Sequence, residues 1–178
     1  LHRSIMQGIA VTQWIQTQSE IATDRIAVFG ISFGGIIAAL LVAVDQEIKA
    51  AVLCLVGGDL PYIIRHCRDG AWRGQGVSTR RAAYLKKRRI TADVFERRLR
   101  KSIVWDPLKL ARYTNREKIL LILALCDRVI AFGKGLQLRR AMKKPKTVIL
   151  PSGHYTAMVF LPFVRWIAYR FLKKNLLR

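Results

Sequence analysis

Four short runs of consecutive apolar residues are spread along the chain, each bounded by charged or turn-forming residues. They lie at residues 25–29, 49–56, 118–125 and 146–150. Continuous rather than alternating apolar residues are typical of strands that are covered on both faces, as in a parallel sheet. The pattern therefore predicts four buried parallel strands.

Between these runs, apolar residues recur at intervals of three to five positions, which is typical of helices that pack one face on a sheet. Helices are predicted at residues 1–20, from the turn at 30–35 to about residue 45, at 132–142 and at 156–174. Pro162 is expected to kink the last helix. This alternation predicts an α/β protein, a parallel sheet with helices on both faces.

Residues 60–113 contain no strand-like run. They predict a Gly-rich loop at 70–76, a basic helix at 80–89, and a second helix with Thr91 as its N-cap. The inward stripe of this second helix is Val94, Phe95, Leu99 and Ile103. We therefore predict a core formed by residues 1–59 and 106–178, with residues 60–105 inserted as a small helical cap.

The turn after the first strand contains Ser32 between Gly30 and Gly34. A serine at the tip of a sharp strand-to-helix bend has a strained backbone, so its flanking residues need almost no side chain. The bend points the hydroxyl away from the sheet and aims the Phe33 N–H, at the helix N-terminus, toward any anion that forms there. The alternatives are a glycine-rich turn with an incidental serine, or a phosphate loop that lacks the usual Gly-Lys-Ser/Thr.

Two further polar residues follow strands, Asp127 after the third and His154 after the fourth. In an open parallel sheet, functional groups gather beyond the carboxyl ends of the strands, so Ser32, Asp127 and His154 are expected to converge. Asp127 is the only acidic residue after Glu117, and His154 is the only histidine after His66. The alternative is that Asp127 caps a turn and His154 is a surface residue.

The three cysteines, Cys54, Cys67 and Cys126, are odd in number and show no metal-ligand spacing. They predict free thiols in a reducing, cytoplasmic compartment and no metal or other cofactor. No apolar run reaches the roughly 20 residues that a membrane-spanning helix needs. A second cluster of Asp59, His66 and Cys67 above Ser32 is a weaker alternative, because neighbours along a helix do not face one another.

The net charge is +21, and the whole excess of base lies after residue 64. It indicates an anionic partner such as acidic lipid headgroups, an acidic polymer or nucleic acid, although no sequence-specific nucleic-acid motif is present. Basic residues near three aromatic residues of the last helix resemble the end of a membrane-interface helix. They are Lys143, Lys144, Lys146, Arg165, Arg170, Lys173 and Lys174, beside Trp166, Tyr169 and Phe171. The alternative is that these charges are solvated and keep the protein soluble.

The order Ser32, Asp127, His154, in the contexts GISFGG, LALCDRV and LPSGHY, resembles the C-terminal two-thirds of the α/β-hydrolase fold. It is more loosely similar to the dienelactone hydrolase and prolyl-oligopeptidase-like branches. The resemblance implies that Ser32 is the nucleophile, His154 the base, Asp127 its acid partner and the Phe33 N–H an oxyanion donor. It implies a serine esterase that acts on a small-molecule ester through an acyl-enzyme, with the cap at residues 60–105.

That family also has earlier strands, and a loop that supplies the second oxyanion donor, without counterpart before Leu1. The first strand is therefore expected to have an open edge, covered by more of a longer protein, a second copy or a partner chain. Two alternatives to the esterase follow. One is a truncated, catalytically silent remnant of the fold, and the other is a basic module that binds anionic surfaces, peripheral to a membrane.

Overall fold

A four-stranded parallel sheet forms the centre of the computed structural model, which describes residues 1–70 and 76–177. The strands are β1 (Ala27–Ile31), β2 (Ala50–Cys54), β3 (Ile119–Ala124) and β4 (Lys146–Leu150). They lie in the order β1-β2-β3-β4, with Phe29 opposite Val52 and Ile122 opposite Val148. All four strands predicted from the apolar runs are confirmed, and β1 is an edge strand as expected.

Helices cover both faces of the sheet, as predicted. The longer ones are α1 (His2–Gln16), α2 (Phe33–Val44), α3 (Leu60–His66), α4 (Val77–Arg88), α5 (Ala92–Ser102), α7 (Phe132–Ala141) and α8 (Leu161–Leu176), and α6 (Pro107–Leu110) is a single turn. One apolar cluster joins α1, α2 and α7 to one face, and a second joins α8 to the other. Alternate residues of β2 supply them, with Leu53 in the first cluster and Val52 in the second. No helix in the described ranges is long and apolar enough to cross a bilayer.

The C-terminal helix differs from its prediction in two ways. A 3-10 turn at Thr156–Phe160 precedes α8, and Pro162 lies in the first turn of α8 instead of kinking a longer helix. Proline is tolerated there because the first-turn N–H groups have no intrahelical acceptor. Phe171 is only 6% exposed and packs in the core, whereas Trp166 and Tyr169 are exposed, so the predicted aromatic surface lacks Phe171.

The segment from α3 to α5 contains the two basic helices expected from the sequence and no strand among its described residues. Thr91 caps α5, since its Oγ1 accepts a hydrogen bond from the Val94 N–H at 3.3 Å. Neither α4 nor α5 contains a buried residue. Most of the Gly-rich loop, residues 71–75, lies outside the described residues. The division into a core and a cap stays a prediction.

Two buried carboxylates accept hydrogen bonds at the helix starts of this segment. Asp106 is 2% exposed and accepts hydrogen bonds from the N–H groups of Asp59 at 3.0 Å and Leu60 at 2.6 Å, at the start of α3. Asp69 accepts from the backbone of Val77 and from Ser78, at the start of α4. Burial alone would raise the pKa of Asp69, but these hydrogen bonds outweigh it and lower that pKa.

Candidate active site

Ser32 lies at the turn between β1 and α2, where its backbone has φ 56° and ψ −119°. This left-handed conformation is unfavourable for any residue with a side chain. A Cβ atom on Gly30 would lie 2.2 Å from the carbonyl oxygen of Gly34, and one on Gly35 would lie 2.8 Å from that of Cys54. Nothing lies within 4 Å of the corresponding position on Gly34. The turn therefore needs glycine at 30 and 35. The expectation that position 34 also requires a residue with almost no side chain is wrong.

The structure brings the three predicted site residues together in one hydrogen-bonded chain. Ser32 Oγ lies 2.9 Å from His154 Nε2, and His154 Nδ1 lies 2.7 Å from Asp127 Oδ2. The side chains of His154 and Asp127 are 8% and 3% exposed. Because a carboxylate only accepts hydrogen bonds, Nδ1 carries the ring proton and Nε2 is left to accept from the serine hydroxyl. This arrangement can remove a proton from Ser32.

The remaining oxygen of Asp127 has a separate role. Asp127 Oδ1 accepts hydrogen bonds from the N–H groups of Val129 and Ile130, both at 2.8 Å. The interpretation of Asp127 as a turn cap is thus correct as well, since one carboxylate caps the turn after β3 and orients His154. These bonds fix the direction of the carboxylate before any substrate arrives.

Phe33 is the first residue of α2, directly after Ser32. The first N–H groups of a helix lack intrahelical acceptors and lie at the positive end of its dipole. The position of the Phe33 N–H therefore suits an oxyanion beside Ser32. Its role as an oxyanion donor stays a prediction.

A cavity of about 380 Å³ adjoins Ser32 and Phe33. Its walls are almost entirely aliphatic and come from α2, α3 and the loops after α5 and β3, with Ile36, Leu60, Ile63, Ile103, Val129 and Ile130 among them. No Asp or Glu side chain is among the described residues that line it. Cavities of this size hold small organic ligands, and this one suits an uncharged apolar group.

The alternative cluster of Asp59, His66 and Cys67 does not form. Asp59 makes ion pairs with Lys134 at 2.7 Å and Arg100 at 3.0 Å, while His66 Nδ1 donates to the carbonyl oxygen of Tyr62 at 3.0 Å. Cys67 lines the cavity, but burial, with the nearby Asp69 charge, raises the pKa of its thiol to about 11. A thiol with that pKa is protonated at neutral pH and is a poor nucleophile. Among the described residues, no group of His, Cys, Asp and Glu side chains could hold a metal ion.

Sequence reasoning missed the residues that connect the α3–α5 segment to the site. The Tyr155 hydroxyl, next to His154, donates to the backbone carbonyl of Asp69 at 3.0 Å and so joins the loop after β4 to the loop after α3. Asp69 and Asp106 accept their hydrogen bonds from residues distant in sequence or from a helix start. Only the proximity of Tyr155 to His154 offered a sequence signal.

Comparisons with known proteins agree with this geometry. The family model described as X-Pro dipeptidyl-peptidase (S15 family) matches residues 2–154, and no curated protein matches the sequence. An esterase from Pyrococcus furiosus superposes with a TM-score of 0.69 at 17% identity, over 97% of this chain and 62% of the esterase. An α/β hydrolase from a Penicillium species gives 0.66 at 19% identity, over 98% and 72%. An acylaminoacyl peptidase from Pyrococcus horikoshii gives 0.61 at 16%, over 94% and 27%.

These likenesses show that the fold is that of the α/β hydrolases, as the motifs around Ser32, Asp127 and His154 predict. The chain spans less than two-thirds of the length of the Pyrococcus furiosus esterase. It covers about a quarter of the acylaminoacyl peptidase.

Proposed function

This chain belongs to the X-Pro dipeptidyl-peptidase (S15) family within the α/β-hydrolase superfamily, and from that premise we propose that it is a serine hydrolase that cleaves carboxylic esters. The observation that carries the proposal is the hydrogen-bonded chain from Ser32 through His154 to Asp127, with 2.9 Å and 2.7 Å between the bonded atoms. A neutral serine hydroxyl is a weak nucleophile and needs a base within hydrogen-bond reach. His154 is that base.

In the first half of the reaction, Ser32 Oγ bonds to the acyl carbon while its proton moves to His154 Nε2. Asp127 keeps the proton on Nδ1 and stabilises the imidazolium. The Phe33 N–H stabilises the negative charge on the former carbonyl oxygen. When the tetrahedral intermediate collapses, the bond to the alcohol oxygen breaks and His154 returns the proton to that oxygen, which leaves an acyl-enzyme.

The second half repeats these steps with water. His154 Nε2 removes a proton from a water molecule as its oxygen attacks the acyl carbon, and it then returns that proton to Ser32 Oγ. The products are a carboxylic acid and regenerated enzyme, so the reaction needs no cofactor.

The cavity beside Ser32 supports an ester with an apolar acyl or alcohol group. A peptidase that removes dipeptides is the second candidate, favoured by the family match. Such an enzyme has to bind the free α-ammonium group of its substrate, and a buried cation needs a charged or hydrogen-bonding partner. The described walls of the cavity offer no carboxylate for this purpose, which favours the ester.

Labelling with a fluorophosphonate probe and turnover of short-chain nitrophenyl esters test the proposal, preferably in the full-length protein. Ser32→Ala is expected to abolish labelling and to lower turnover by about a million-fold, since the nucleophile is lost. Ser102→Ala, at an exposed serine on α5, is the matched control and should leave both unchanged. Labelling that survives Ser32→Ala contradicts the proposal, and an unlabelled, inactive wild type favours a silent remnant of the fold.

An aminoacyl-proline anilide, assayed beside the nitrophenyl esters, separates the two candidate substrates. Faster turnover of the anilide, lost in Ser32→Ala, would retain the serine mechanism and replace the ester with a peptide.

A further inference from the structure

A second cavity, of about 540 Å³, lies at the amino ends of β3 and β4, whereas Ser32 follows the carboxyl end of β1. We call it the basic groove. Its cations are Arg116, Lys144, Lys146, Arg170 and Lys174. Arg116 lies in the turn before β3, Lys144 and Lys146 lie at the start of β4, and the other two lie on α8. Three separate parts of the chain thus bring positive charge to one concave surface.

The charges in the basic groove are not balanced by the protein. Its single acidic side chain, Glu117, already pairs with Arg116 at 2.9 Å, and both side chains are well exposed. Within the described ranges, Lys144, Lys146 and Lys174 have no ion-pair partner. Cations gathered in a concavity repel one another and attract an anion. The groove therefore has an excess of positive charge that a ligand could neutralise.

The position of these cations is not explained by their own elements alone. Lys174 suits the last turn of α8, because cations stabilise the negative end of a helix dipole, and the Arg170 guanidinium lies over the Trp166 ring at 5.0 Å. Lys144 lies in the turn before β4 and Lys146 is the first residue of β4, so neither gains from that helix. Lys143 and Lys144 both have positive φ, 58° and 57°, which is costly for residues with side chains. This strained turn places Lys144 at the groove.

We propose that the basic groove binds a multiply charged phosphate-bearing anion. Five cations against one carboxylate call for a ligand with several negative charges, and each phosphate group carries up to two. The planar guanidinium groups of Arg116 and Arg170 can bind phosphate oxygens with two parallel hydrogen bonds, while the three lysines act as point charges. The volume of the groove is in the range of small-ligand sites. A soluble polyphosphate and a phosphorylated lipid headgroup share this chemistry.

Calorimetric titration of the full-length protein with inorganic tripolyphosphate tests the groove. The double variant Lys146→Gln/Lys174→Gln removes two exposed groove charges, and each lost charged contact is expected to weaken binding roughly tenfold. The matched control is Lys86→Gln/Lys87→Gln, which removes two exposed charges from α4 and should bind as the wild type does. Melting curves check folding, and Lys174→Gln alone replaces the double variant if the latter unfolds.

Vesicles of phosphatidylcholine with and without phosphatidylinositol phosphate distinguish the two sources of the ligand. Binding to the phosphorylated vesicles that the groove variant loses and the control keeps assigns the site to a lipid headgroup. Tripolyphosphate binding with the same variant pattern and no vesicle binding assigns it to a soluble anion. The proposal is overturned if neither probe binds, or if groove and control variants weaken binding equally, since the charges then form only a solvated surface. Probe labelling of Ser32 reports separately on the hydrolase.

Discussion

The sheet and the two basic helices α4 and α5 differ in how much apolar surface they bury. Every residue of β2 and β3 is buried, whereas α4 and α5, of 12 and 11 residues, contain no buried residue. The sheet is stabilised by apolar burial, which is insensitive to pH and is strengthened by many salts. Within the α3–α5 segment, α3 buries Leu60 and Ile63 in the apolar core, whereas α5 is joined to its neighbours by ion pairs and charged hydrogen bonds.

An ion-pair network joins α5 to α3 and α7. Arg65 pairs with Asp93 and Glu96, each at 2.7 Å, while Arg100 pairs with Glu96 and with Asp59. Lys134 on α7 completes the network at Asp59. Ser32, Asp127 and His154 follow strands of the apolar sheet. Part of the cavity wall, by contrast, is held by ion pairs of α5, which acid and salt weaken. Conditions that disturb substrate binding are therefore expected to spare the catalytic geometry.

Among the variants that test this comparison of the two regions, Asp127→Asn is expected to have the largest effect, on turnover and not on stability. Asn keeps an oxygen for the N–H groups of Val129 and Ile130, but its amide stabilises the wrong tautomer of His154. Turnover of nitrophenyl esters should fall about 10,000-fold, as for the equivalent change in serine proteases, with little change in melting temperature. A large loss of stability would instead show that the turn after β3 depends on the negative charge.

Leu121→Ala tests the sheet side of the comparison. Leu121 is completely buried in β3, so its truncation leaves a cavity and should lower the free energy of unfolding by about 2–5 kcal/mol. Leu99→Ala, at a partly exposed position on α5, is the matched control and should cost clearly less. Urea denaturation measures both, and equal losses would contradict the contrast between the two regions.

Acidification tests the α3–α5 side. Burial of the Glu96 carboxylate opposes its ionisation, but hydrogen bonds from Arg65 and Arg100 outweigh this and lower the pKa of Glu96. The pKa of Asp59 is lowered in the same way, with hydrogen bonds and charge from Lys134 and Arg100 outweighing burial. A carboxyl group whose pKa is lower in the folded state stabilises that state at pH values above the ordinary carboxyl range. This stabilisation is lost as the pH falls through the folded-state pKa.

Hydrogen exchange, corrected for its intrinsic pH dependence, should therefore show α5 amides losing protection before those of β3 once the pH falls below the ordinary carboxyl range. Glu96→Gln removes one of the titrating groups and should flatten this dependence. Simultaneous loss of protection in α5 and β3 would mean that the two regions unfold as one unit.

Tyr155→Phe is expected to have the smallest effect. It removes the hydrogen bond from the Tyr155 hydroxyl to the carbonyl of Asp69 and retains the ring beside His154. A neutral hydrogen bond of this kind contributes about 1 kcal/mol, which urea denaturation resolves. Burial, with the charge of Asp69, raises the pKa of Tyr155, so the bond persists at neutral pH and no pH dependence is expected there.

The sequence was sufficient to predict the sheet and the convergence of Ser32, Asp127 and His154, because both depend on periodicity and on strand ends. The continuous apolar runs predicted four strands to within a few residues. The carboxyl ends of parallel strands all lie on the same side of the sheet, so residues that follow them come close together. The Thr91 cap was predictable for a similar reason, since capping involves only neighbours in sequence.

Long-range contacts account for what could not be predicted. Asp106 accepts from residues 46 and 47 positions away, and nothing around it in the sequence indicates this. The need for glycine at 35 comes from the Cys54 carbonyl on the neighbouring strand. The burial of Phe171 depends on how α8 rotates against β2 and β3. Each of these depends on tertiary packing, which local patterns do not encode.

The left-handed backbone conformation of Ser32 lowers the stability of the fold, while its side chain is the proposed nucleophile. The strain, of the order of 1–3 kcal/mol, belongs to the backbone and persists with alanine or cysteine at that site. Only glycine would relieve it, so Ser32→Gly should make the protein more stable and inactive at once. A lineage free of selection for catalysis would gain from that substitution. The serine in this sequence is the costlier choice for stability, a cost that the proposed role of Ser32 as nucleophile would explain.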